Sequence, residues 1–173
     1  MKAVWVGLGF GVALVLQMTL PLTAVGAVAP VDLVLVVVVA VAVANGPIAG
    51  LWVGTVGGLL QDGLSGTVVG VGGFAKTLIG YLAGQCASRL LIARPWQQSL
   101  VFFSASLVHA VCLIRVHSLL SDEGMMIPYT AVLVQAAVNA GIGVVLVISL
   151  QVGPAVLERL RLRRRSLSRR FGS

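Results

Sequence analysis

Long apolar runs, broken only by short stretches of glycine, proline and a few charges, constrain this chain more than any other feature. "AVWVGLGFGVALVLQMTLPL", "LVLVVVVAVAVA" and "LVQAAVNAGIGVVLVISL" contain no charged residue. A helix that crosses a bilayer needs about 20 predominantly apolar residues. The runs divide into six expected helices, at 3–22, 32–44, 47–60, 69–91, 98–119 and 127–151. Turn chemistry separates them: Asn45-Gly46-Pro47 favours a turn with proline in the first turn of the next helix, and Arg94-Pro95 breaks the chain again. Composition agrees, with 58% hydrophobic and 10% charged residues in 173, against about 45–50% and about 25% in a soluble domain. The expected fold is an all-α membrane protein of about six transmembrane helices. Residues 1–156 form its one domain, with no room for a water-soluble enzyme domain, and residues 157–173 form a basic tail. Met1-Lys2 and the small residues of "TAVGAVAP" also fit a cleaved signal peptide, but the run leads into a multi-span pattern and is read as an uncleaved first helix.

The formal charge of +7 is concentrated rather than spread. Seven arginines lie between Arg159 and Arg170, which makes a tail and not a basic domain, so nucleic acid is excluded as the expected partner. Lysine and arginine in short loops mark the cytoplasmic side. With six spans, Lys2, the Arg89/Arg94 loop and the tail share one side, while Asp32, Asp62, Asp122 and Glu123 share the other. Both termini are therefore expected in the cytoplasm. Arg161, Arg163, Arg164 and Arg165 anchor this topology, contact anionic lipid at about 1 kcal/mol per basic residue, or dock on an acidic partner. Cys86 and Cys112 sit in apolar surroundings, and neither a disulfide framework nor a zinc spacing follows from them.

Glycines repeat at helical spacing. Gly46, Gly50, Gly54 and Gly58 recur every four residues, with Asp62 as the next step; Lys76, Gly80, Gly84 and Ser88 repeat the interval. In lipid, small residues let helix backbones approach closely. These stripes therefore pack the two helices on each other or receive a partner helix. In the second case, leucine at Gly54 or Gly80 should detach the partner and leave the bundle folded. Asp62 and Lys76 continue the stripes and should face protein, since a charge facing lipid is costly. They form an expected ion pair across the glycine turn of "GLLQDGLSG"; alternatively, the lysine snorkels and the aspartate sits among headgroups.

Other polar residues within the runs are Gln17, Gln135 and Asn139, read as interhelical hydrogen-bonding groups. His109 and Cys112 are three apart, with no second pair of ligands for a metal. Arg115 and His117 are expected to meet outer carboxylates such as Asp122 or Glu123. No nucleophile–base set, phosphate loop or paired catalytic carboxylates can be found. The expectation is a protein that is not an enzyme and uses no metal or cofactor.

The series "LQMTLP", "PVDLVLVVVV", "NGPIAGLWVGTVGGLLQDGLSG" and "LIGYLAG" resembles the bacterial rod shape-determining protein MreD family over roughly residues 16–84. From Cys86 onward little matches. The resemblance implies a fold like the six-helix substrate-binding subunits of energy-coupling-factor transporters. It also implies a multi-pass protein of the bacterial cytoplasmic membrane that binds the single-pass protein MreC, near MreB, RodA and its partner transpeptidase, and supports lateral peptidoglycan synthesis. The role so implied is a non-enzymatic scaffold of the cell-elongation complex. The alternative is a small-solute-binding subunit of an energy-coupling-factor-type transporter. Such a subunit should line an outer cavity with several polar and aromatic groups, whereas the tryptophans and tyrosines here are scattered.

Overall fold

The computed structural model describes residues 2–19, 31–66, 68–90, 94–120 and 128–170. Six helices account for nearly all of them: α1 Lys2–Thr19, α2 Leu33–Asn45, α3 Pro47–Ser65, α4 Val71–Leu90, α5 Pro95–Leu120 and α6 Tyr129–Arg170. Two stretches, Pro95–Val116 of α5 and Tyr129–Ser149 of α6, are long and apolar enough to cross a membrane. The architecture is all-helical and has the character of a membrane protein.

Each boundary has a local cause. Asp32 caps α2 by accepting a hydrogen bond from the Leu35 amide. Pro47 opens α3, where its missing N–H costs nothing. α3 runs past the expected stop at residue 60 and ends at Gly66, whose φ of 66° is a left-handed cap. α5 starts at Pro95, three residues earlier than expected. There the Gln97 side chain accepts from the Arg94 amide at 3.0 Å, the reciprocal half of a capping box. α6 runs past the helix end expected at residue 151 and through the start expected for the tail at 157, so the backbone of the basic tail belongs to the same helix as far as Arg170.

α2 is the centre of the bundle. It has apolar residues on every face, and Val34, Leu35, Val36 and Val38–Ala42 are buried, as expected of a helix that is hydrophobic all round. One side packs with Ile79 of α4, Phe102 of α5 and Val147 of α6. The other receives Leu14 and Phe10 of α1 and Val53 of α3. At 13 residues α2 is about 20 Å long at 1.5 Å per residue, shorter than the roughly 30 Å hydrocarbon core of a bilayer.

The outside of the bundle is apolar and its inside is partly charged. Trp52 and Phe74 are 63% and 61% exposed, while Asp32, Lys76, His109 and Asn139 are each at most 5% exposed. This inverts the usual partition of a soluble domain, in which large exposed apolar patches are rare and charges are almost never fully buried. Lipid outside the bundle removes the contradiction. The carboxylates expected to meet Arg115, Asp122 and Glu123, lie outside the described residues.

Candidate functional site

The two glycine stripes meet each other. A methyl group built on Gly50 would overlap the Gly80 carbonyl, and one on Gly54 would overlap the carbonyl of Lys76. One on Gly58 would strike the Gly73 backbone, and one on Gly84 would lie 2.5 Å from the Cα of Pro47. Partners on α4 recede as positions on α3 advance, so the two helices run antiparallel along one backbone-to-backbone seam. The Thr55 and Thr77 hydroxyls hydrogen-bond across it at 2.8 Å. The reading in which these glycines leave a groove for a partner is thereby corrected. Gly50, Gly54, Gly58, Gly80 and Gly84 are buried within the α3–α4 contact. Gly46 differs from them: it caps α2 with φ 91°, and its own missing side chain would meet nothing.

The expected pairing of Asp62 with Lys76 is replaced by two separate arrangements. Asp62, in the last turn of α3, accepts from the amides of Gly70 at 2.9 Å and Gly73 at 3.0 Å. A carboxylate in that place satisfies open N–H groups at the start of α4 and complements its dipole. The glycines around it have a purpose: a side chain at Gly72 would overlap the Asp62 carboxylate, and Gly70 has φ 105°. The acidic residue in "GLLQDGLSG" therefore caps the next helix.

Lys76 turns instead to Asp32, at 2.8 Å. Its Nζ also lies 3.2 Å from His109 Nε2. An ammonium only donates, so this ring nitrogen accepts and the imidazole is neutral in the bond. Asp32 carries further contacts. Its Oδ1 caps α2 at 2.9 Å from the Leu35 amide, and its own amide donates to Asn139 Oδ1 at 3.1 Å. Asn139 Nδ2 in turn donates to Ser106 Oγ at 3.1 Å. Next to this centre the Gln17 amide clasps the start of α2, donating to the Val31 carbonyl at 2.8 Å and accepting from the Leu33 amide at 2.7 Å. One connected polar centre thus links α2, α4, α5 and α6, and the Gln17 clasp ties α1 to the start of α2 beside it.

Gln17, Asp62, Lys76 and Asn139 are all engaged, but with partners other than one another. Gln135, expected on a face with Asn139, is half-buried and lines a cavity beside the centre. Arg161, Arg163, Arg164 and Arg165 lie on the distal part of α6. Sequence reasoning missed Asp32, His109 and Ser106 as members of one cluster. The available signal was that Ser106 and His109 lie three apart, on one face of an otherwise apolar helix.

Chemically, the centre does what buried charge does when paired. Removing either partner strands the other in low dielectric, at about 3–5 kcal/mol, so α2, α4, α5 and α6 are held in one register.

Comparison with known proteins gives the family. The family described as rod shape-determining protein MreD matches residues 2–151, and the chain belongs to it. This is a family of shape-determining proteins and not a known enzyme family. Searches of curated proteins and of solved structures each found no match.

Proposed function

We propose that this member of the MreD family is a non-enzymatic scaffold of the bacterial cell-elongation complex. It crosses the cytoplasmic membrane six times with both termini inside, holds MreC, and through it supports lateral peptidoglycan synthesis alongside MreB, RodA and the partner transpeptidase. The observation that carries the reading is the family match over residues 2–151. Two features support it. The interior is pinned by paired charges and a glycine-lined seam, as suits a rigid platform. The exterior offers apolar side chains such as Trp52 and Phe74 to lipid and to membrane-embedded partners. Exposed Arg89 and Arg94 lie at the α4–α5 connection, the end shared in a six-span arrangement with Lys2 and the arginines of α6. That charge bias favours the cytoplasm, and the α6 arginines are proposed to contact anionic lipid there.

Since the stripes face each other, the MreC helix is proposed to dock on the outer surface of the bundle. The test is to express the chain in rod-shaped cells depleted of their own MreD, with tagged MreC present. Restored rod shape and copurification in detergent are the expected results. A chain that inserts, yet neither restores shape nor retains MreC, sinks the proposal. Reporter fusions at the two termini check the topology separately; fusions reporting opposite sides exclude six spans.

A further inference from the structure

A groove of about 660 Å³ lies between α4 and α5. Its floor is the buried Ile79 and Ala83 of α4 and Ala105 of α5, and the two alanines leave room that larger side chains would fill. Its rims are Leu82, Leu100 and Val108, each about half exposed. Both helices deliver a cation to one end of it. On α4 the lining steps from Ile79 through Ala83 to Cys86, and Arg89 follows three residues on, along the same face. On α5 the lining begins at Trp96 and Gln97, and Arg94 stands three residues before Gln97. Arg89 and Arg94 are exposed, and neither has an ion-pair partner among the described residues. α4 and α5 contain no acidic residue that could supply one. Trp96 sits beside them, 57% exposed, and tryptophan is enriched at the membrane–water interface.

Length decides what fits. From Trp96 to Val108 the lining follows α5 for about 18 Å at 1.5 Å per residue. That is close to one leaflet, about 15 Å of a hydrocarbon core of about 30 Å. A partner helix would run on across the whole core, beyond the inner end of the groove, whereas a lipid chain ends at that depth. The open end is cationic and the walls are apolar, which matches a lipid with a negative headgroup. We propose that the groove seats one acyl chain of an anionic phospholipid, with its phosphate on Arg89 and Arg94. The inference needs the bundle to lie in a membrane and does not depend on MreC binding.

The test uses the full chain with Trp5→Phe and Trp52→Phe, which leaves Trp96 as the one tryptophan. The protein is reconstituted in phosphatidylcholine vesicles, and lipids brominated on their acyl chains quench the indole on contact. Half-maximal quenching should need about tenfold less brominated phosphatidylglycerol than brominated phosphatidylcholine, the effect of two basic residues at the headgroup. Arg89→Gln combined with Arg94→Gln should abolish that preference. Ser104→Phe fills the groove from an exposed position and should remove most of the preference with both arginines in place; Ser104→Leu, a smaller filler, should remove less. Equal quenching of the parent protein by the two lipids overturns the proposal, as does a preference that survives loss of the arginines. A preference that depends on the arginines but is unchanged in Ser104→Phe also overturns it, since the lipid then meets the helix ends without entering the groove. Trp96 shielded from both lipids overturns it as well and puts protein in the groove, with a crosslinked dimer identifying a second copy of the chain.

Discussion

The α3–α4 seam and the Asp32 centre hold the bundle by opposite means. The seam works through what is missing. Gly50, Gly54 and Gly58 bring one backbone against the backbone of Lys76, Gly80 and Gly73, and close contact supplies the attraction that lipid does not. The centre works through groups that are expensive to bury alone. Asp32, Lys76 and His109 are tolerated because each has the others. The seam should therefore fail on any addition of volume, and the centre on any loss of a partner. The first is a local property of two neighbouring helices. The second belongs to the whole bundle, since its members come from α2, α4, α5 and α6.

The largest expected effect is in the seam. Gly54→Leu and Gly80→Leu each force a side chain into an opposing carbonyl. Overpacking a core costs about 1–3 kcal/mol where side chains can yield, and a backbone yields less. Neither variant should give a monodisperse peak in size-exclusion chromatography from detergent. A folded, monodisperse Gly54→Leu protein would show that the seam tolerates volume and would end the contrast.

Next comes Lys76→Met, which leaves the Asp32 carboxylate buried without its cation, at about 3–5 kcal/mol. Asp32→Asn should be costly as well. The double variant should cost less than the sum, by a coupling of about 0.5–3 kcal/mol, read from thermal unfolding in detergent. Strict additivity would mean that the two side chains do not act as a pair.

Asp62→Ala should cost about 1–2 kcal/mol, the value of a helix cap, and Asp62→Asn should recover much of it. The cycle of Asp62→Asn with Lys76→Met should be close to additive. Coupling there as large as that between Asp32 and Lys76 would restore the pairing read from the stripes. Smallest is Thr55→Val, which removes the hydroxyl bond to Thr77 at about 1 kcal/mol. A much larger loss would give the seam a polar component comparable to the centre.

What could be read in advance follows the same division. Glycines four apart at positions 50, 54 and 58 place themselves on one ridge by helical geometry alone, and a short turn brings the next helix alongside. Hence the stripes and the approximate boundaries of most of the described helices were legible from the sequence. Asp62 was placed at the right turn but given the wrong partner. Spacing shows that Asp62 and Lys76 extend the two stripes, yet it cannot show that the amides of Gly70 and Gly73 take the carboxylate first. The Asp32 centre was not legible, because Asp32 lies 44 positions from Lys76 and 107 from Asn139. No periodicity connects residues on separate helices.

The sequence by itself determined that this chain forms apolar helices, where most of them start and stop, and which face of α3 and α4 lacks side chains. These properties depend on neighbours within a few turns, and local propensity, caps and spacing carry them. The tertiary structure alone decided that the two stripes meet each other and that Lys76 belongs to Asp32. It also decided that a polar cavity lies at the junction of the helices. Those outcomes depend on how α2 sits among the others, with Val38 and Ala42 lodged against the glycines of the seam. Burial in that arrangement then selects the partner of each charge, because an unpaired charge inside the bundle costs more than the packing around it can return.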